Sequence, residues 1–310
     1  MEGVVFSFPW ETEFMVWIQS FASSLLTGAM STLSLIGEQL LMFIIIAYLY
    51  LCFDKNIGSR MAAGLFVSLL GGSFLKNEVM RRRPYFDNSE IQCLRAPSGR
   101  GDVMDVAAQG YSFPSLHATE TVVMFGYFYL WFKKRWARAL CVFLILVIGF
   151  SRVYLGAHFP TDVLVGWLLG LSVFTIINFV LNRCHNWLWI FIGCATLFIP
   201  GCFLCRTNDF FSIYGLMCGS LFAFHFEQRK VNFSNIPNSW RSVVRTICAL
   251  TLFLAISKGL KLPFSKEFLA SDGFAAHFVC AARYAIASFV TIGVYPMVFK
   301  HTDRFFRRDV

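Results

Sequence analysis

Charge is scarce in this chain. Only 15% of its 310 residues are Asp, Glu, Lys or Arg, whereas 57% are hydrophobic. A soluble globular domain needs a more charged surface than that, so this class is excluded. Metal-binding spacing is also lacking. Most of the ten cysteines fall inside apolar runs, and Cys202 and Cys205 in CFLC have no second pair or nearby histidine to complete a site. They read as buried apolar thiols. No repeat, low-complexity tract or long polybasic run occurs, so the net charge of +9 points to anionic lipid rather than nucleic acid. The start lacks the basic residues of a cleaved signal peptide and carries Glu2, Glu11 and Glu13 instead.

What the chain has in abundance is apolar runs long enough to span a bilayer, about 18 residues or more each. They predict an all-α, polytopic membrane bundle of eight to nine spans, near 33–53, 59–79, 115–133, 136–156, 160–181, 187–205, 209–226, 242–262 and 276–299. The segment Phe14 to Leu26 is too short to cross comfortably, and its Trp17 and Gln19 suit a helix lying at the interface. Three regions follow: an N-terminal interfacial segment (1–30), a core of five spans (31–182) and C-terminal membrane helices (183–310).

Alternating spans divide the loops between two faces. One face, holding the loops at 54–58, 133–138, 182–186 and 227–241 and the C-terminal tail, carries fifteen of the 27 Lys and Arg, counting Arg60 and Arg245 at span ends, against seven on the other, leaving aside Lys76, Arg83 and Arg152 in the motifs and Lys258 and Arg283 inside spans. The positive-inside rule places that face in the cytoplasm and the long 80–114 loop outside. A connection of this length is usually functional or disordered.

Three polar clusters sit at outward span ends. In KNEVMRRRP, Lys76 and Arg83 stand seven residues apart, two helical turns on one face, before Pro84 stops the helix. Arg81 and Arg82 read as snorkelling cations. In PSLH, Ser115 is placed to cap the third span, and His117 falls in the first turn, where the helix end favours an anion. In SRVYLGAHFPTD, Arg152 ends one span, while His158 and Asp162 flank Pro160 at the start of the next. An aspartate four residues on can accept the imidazole Nδ1–H and leave Nε2 with a free lone pair. Glu120, one turn after His117, is a candidate to tune it. Glu38, Lys258, His277 and Arg283 are candidates to line a cavity or pair within the membrane.

These motifs, in this order, closely resemble the type-2 phosphatidic acid phosphatase superfamily, related in fold to the vanadium haloperoxidases. The family pattern is K-x6-RP, PSGH and SR-x5-H-x3-D. Lys76, Arg83 and Pro84 complete the first motif, and Ser151, Arg152, His158 and Asp162 the third. The resemblance covers roughly residues 14–182. It departs at Leu116, where the family has glycine. If the position needs a positive φ, leucine is strained there by about 1 kcal/mol or more; if it is already helical, leucine fits and its N–H still faces the phosphate.

The resemblance implies a membrane phosphatase acting on a lipid phosphate monoester or pyrophosphate at the outer face of a bacterial plasma membrane. On that scheme His158 is the nucleophile that forms a phosphohistidine, Asp162 orients it, and His117 protonates the leaving oxygen and then activates water. Lys76, Arg83, Arg152, Ser115 and Leu116 would bind phosphoryl oxygens, with no metal and no cofactor. Two other readings stay open: a glucose-6-phosphatase-like hydrolase of a soluble ester, and a lipid-binding or transport protein without hydrolytic activity.

Overall fold

A computed structural model describes residues 3–97, 101–205, 207–235, 240–271 and 273–299. The chain is all-helical, with no strand among the described residues beyond an isolated bridge between Val4 and Arg81. The helices in chain order are α1 (Pro9–Gln19), α2 (Ser24–Ile36), α3 (Gln39–Tyr48), α4 (Lys55–Val79), α5 (Pro84–Asp87), α6 (Val106–Gln109), α7 (Leu116–Trp131) and α8 (Arg135–Tyr154). There follow α9 (Pro160–Arg183), α10 (Trp187–Leu197), α11 (Gly201–Leu204), α12 (Asn208–Phe226), α13 (Trp240–Gly259), α14 (Lys266–Ala270) and α15 (Phe274–Phe289).

Among the described residues, seven helices are long and apolar enough to cross a membrane. The expected first span is instead a pair, α2 and α3, bent by 45° at Gly37–Glu38, and counting it as one span makes eight. Helix α7, at 16 residues, is a shorter element, about 24 Å at the usual rise. Apolar stripes on these helices face outward: Leu164, Leu168 and Leu171 on α9 and Phe143, Leu146 and Phe150 on α8 are all exposed. Such a surface suits hydrocarbon rather than water. The C-terminal tail assigned to the cytoplasm lies beyond residue 299, outside the described residues, as does Glu2.

Two compact units make up the chain, Met1–Met42 with Gly71–Ile176, and Phe43–Leu70 with Ile177–Val310. The first contains all three motifs. Its core joins Met15 and Ile18 of α1, Ile91 of the long loop, Ala118 of α7, and Val153, Tyr154, Leu155, Phe159 and Val163 around the third motif. In the second unit, His277 stacks on Phe211 at 4.2 Å and reaches Asn208 at 3.2 Å, Arg283 donates to the Ser257 carbonyl, and Lys258 is exposed.

Candidate active site

The first motif does not form one continuous helix. Helix α4 ends at Val79, and Met80 takes a left-handed φ of 49°. Arg83 is extended, as a residue before proline tends to be, with φ −76° and ψ 156°. Lys76 and Arg83 therefore do not share a helical face as their spacing predicted. They converge instead on the end of the long loop. Lys76 Nζ donates to the Tyr111 carbonyl, while Arg83 donates through Nε and Nη2 to the Gln109 carbonyl and through Nε also to that of Gly110. Its Nη1 reaches the Ala157 carbonyl at 2.9 Å, one residue before His158.

Ser115 occupies the N-cap position of α7, but its hydroxyl does not cap the helix. Its Oγ is buried and unpaired, and so are His117 Nε2 and Arg152 Nε. Buried polar atoms are rarely left so, and three orphans drawn from the second and third motifs suit a polar ligand. Arg152 is positioned by a bond of 2.5 Å from Nη1 to Ser34 Oγ. His117 lies within electrostatic range of Arg152, His158, Arg83 and Lys76. Leu116 is the first residue of α7 and has no positive φ, so it sits in the glycine's place without backbone strain. Its Cδ2 packs over Gly72.

His158 is 3% exposed and sits in the turn between α8 and α9. Its Nδ1 lies 2.8 Å from the Ser112 carbonyl oxygen, whereas Asp162 Oδ2 is 3.7 Å away. The expected His–Asp hydrogen bond is thus replaced by one to the backbone. A carbonyl only accepts, so Nδ1 carries the proton and Nε2 keeps its lone pair. Burial, together with Arg83, Lys76 and Arg152, holds the His158 pKa well below the usual 6.5, although the bond to Ser112 pulls the other way. The ring is therefore neutral near pH 7. Burial also lowers the Arg83 pKa.

Asp162 is occupied elsewhere. Its Oδ2 accepts the Phe159 N–H at 2.8 Å, the N3-to-N-cap half of a capping box at the start of α9. Its Oδ1 accepts Arg81 Nη1 at 2.7 Å. Arg81 does not snorkel: it is fully buried, and its Nη2 pairs with Glu11 at 2.7 Å. Arg82 is only partly buried and pairs with Asp87 at 3.2 Å. Glu120 accepts a bond from Gln39 at 3.2 Å and keeps Oε2 unpaired, and Glu38 pairs with Arg95.

Reasoning from residues missed Ser112, Glu11 and Arg81. A backbone acceptor such as Ser112 leaves no trace in residue identity. Glu11 had one: proline at N1 and an acid at N3 form a helix-start pattern. Among the described residues no group of three or more His, Cys, Asp or Glu could hold a metal ion.

Fold and site together define a polytopic helical membrane protein with a buried cluster of cations beside two histidines. The model of the PAP2 superfamily matches residues 58–197, and that of the PAP2 superfamily phosphatase transmembrane extension matches 211–304. The chain belongs to the PAP2 superfamily, the type-2 phosphatidic acid phosphatases.

Similar curated proteins include the candidate undecaprenyl-diphosphatase YbjG of Escherichia coli, 33% identical over 37% of this chain and 50% of its own length. An undecaprenyl-diphosphatase of Sulfolobus acidocaldarius is 30% identical over 47% and 66%, and a lipid A 4'-phosphatase of Bacteroides thetaiotaomicron 30% over 34% and 44%. The chain thus spans between about half and two thirds of the first of these relatives. No solved structure matches it.

Proposed function

We propose that the protein is a membrane-embedded phosphatase that hydrolyses a lipid phosphate monoester or pyrophosphate through a phosphohistidine at the extracytoplasmic face. The observation that carries this reading is the His158 Nδ1 bond to the Ser112 carbonyl, which leaves the Nε2 lone pair of a neutral ring free to act as nucleophile. The relatives named as undecaprenyl-diphosphatases and a lipid A phosphatase support a lipid substrate.

In the first step Nε2 forms a bond to phosphorus as the P–O bond to the lipid breaks, and His117 gives its proton to the leaving oxygen. In the second, His117 takes a proton from water, whose oxygen displaces the imidazole and frees phosphate. Lys76, Arg83, Arg152 and Ser115 Oγ face the phosphoryl charge, which is greatest in the transition state. The Leu116 N–H, at the start of α7, is a further donor.

Purified protein should release phosphate from a polyprenyl diphosphate in the presence of EDTA and be inhibited by vanadate, a phosphate mimic. Acid-labile phosphate should be trapped on wild type and absent from His158→Ala. Turnover by His158→Ala at the wild-type rate would overturn the reading. A preference for a sugar phosphate would favour the soluble-ester alternative, and binding without turnover the transport one.

A further inference from the structure

Two helices in the first unit begin in the same way. At α1 the N3 residue Glu11 accepts the Phe8 N–H through Oε2 at 2.9 Å, and at α9 the N3 residue Asp162 accepts the Phe159 N–H at 2.8 Å. The Arg81 guanidinium bridges both carboxylates, at 2.7 Å each. Each of the three side chains is fully buried.

More contacts tie the same pieces together. Glu11 Oε1 accepts both the backbone N–H of Thr161, at 3.1 Å, and its hydroxyl, at 2.6 Å. Arg81 donates to Thr161 Oγ1 and the Phe6 carbonyl, and its guanidinium lies between the rings of Phe6 and Phe159, 4.3 and 4.0 Å from their centroids. On the other side of the His158 turn, Gln19 at the end of α1 donates to the Tyr154 and Gln92 carbonyls. The N-terminal segment therefore grips the turn carrying His158 both before and after the histidine. Residues 6–19 lie outside the stretch matched by either family model.

We propose that Glu11 and Arg81 are positioning residues for the nucleophile: they lock Asp162 and Thr161 so that His158 keeps its bond to Ser112 and its aim. A carboxylate held this firmly at the first turn of α9 cannot swing to the imidazole, which accounts for the 3.7 Å separation between Asp162 and His158. The groups facing His158 are then Asp162 on α9, Lys76 on α4, His117 on α7, Arg152 on α8 and Arg83 in the long loop, with the Arg81–Glu11 pair behind Asp162. This inference rests on the phosphatase reading above.

Glu11→Gln is nearly isosteric but loses the charge that holds Arg81 and weakens the acceptor for Thr161. We expect kcat to fall about 10- to 100-fold with KM within about twofold, the pattern of a displaced reacting group rather than lost substrate binding. Glu11→Asp, which keeps the charge, should recover part of kcat. Vanadate affinity, measured without turnover, should weaken about tenfold or more in Glu11→Gln, since the mimic also bonds His158. Size-exclusion profile and melting temperature show whether each variant is folded, and Arg81→Lys serves as a second variant should Glu11→Gln not fold.

Folded Glu11→Gln or Arg81→Lys with wild-type kcat and vanadate affinity would overturn the positioning role. A wild type that binds vanadate but hydrolyses no phosphate ester would overturn the phosphatase reading alone, the vanadate comparison still deciding the positioning role. A wild type that does neither would overturn both.

Discussion

At the scale of single residues, His158 shows how an environment prepares a side chain. Its native pKa lies below 6.5, so between those two values the unfolded chain binds a proton that the native one does not. Stability therefore falls as pH drops through that window. Wild type should lose melting temperature relative to His158→Gln, which has nothing to protonate there, as pH is lowered from about 7 to 5; a pH-independent difference would contradict a neutral, buried His158. Leu116 is the second case. Residue identity left two conformations open, and the helical one is found. Leu116→Gly should thus relieve no strain. It should lower stability by about 1–3 kcal/mol, through helix propensity and lost packing on Gly72, and leave kcat/KM within about threefold. A tenfold gain in kcat/KM would show that leucine hampers the site.

At the scale of elements, the site depends on how closely α9 approaches α7. Gly166 and Gly170 lie one turn apart, and a Cβ on them would come within 2.7 Å of the Ser115 carbonyl and 2.5 Å of the Thr119 carbonyl. Small residues at this spacing let membrane helices pack backbone to backbone. Gly170→Val should push α7, with Ser115 and His117, away from Asp162. The expected cost is about 1–3 kcal/mol of stability and about 10²-fold in kcat, while Leu168→Val on the exposed face of α9 should change neither. Melting and kinetic measurements on the two variants check this. Motif residues and most spans were legible in the sequence, because apolar length and residue type carry that information. The break at Met80, the bend at Gly37 and the bond from His158 to Ser112 were not. Each is decided by tertiary backbone contacts, as when Val4 pairs with residues 80 and 82 and closes the end of α4. Gly156, at a φ of 78°, marks the same kind of limit. Its glycine is visible in sequence, but not the Gln92 carbonyl that a Cβ there would approach to 2.2 Å.

At the scale of the whole molecule, an apolar exterior and an excess of Lys and Arg in one set of loops combine into an orientation. The spans present leucine and phenylalanine outward, so the bilayer can solvate them, while the cations that cap them resist translocation. Helix α7 runs from Leu116 in the second motif to the basic loop at Lys133 and Lys134, which the positive-inside rule leads us to expect in the cytoplasm. On the proposed orientation the motif end of α7 faces outward, and the substrate would come from the outer leaflet. Ser89 in the long loop and Lys134 are both exposed, which makes them fair reporters of the two faces. In intact cells, Ser89→Cys should react with a membrane-impermeant thiol reagent above the background of the native cysteines. Lys134→Cys should react only after the membrane is permeabilised. The reverse pattern would place the histidines in the cytoplasm and require a substrate presented from the inner leaflet.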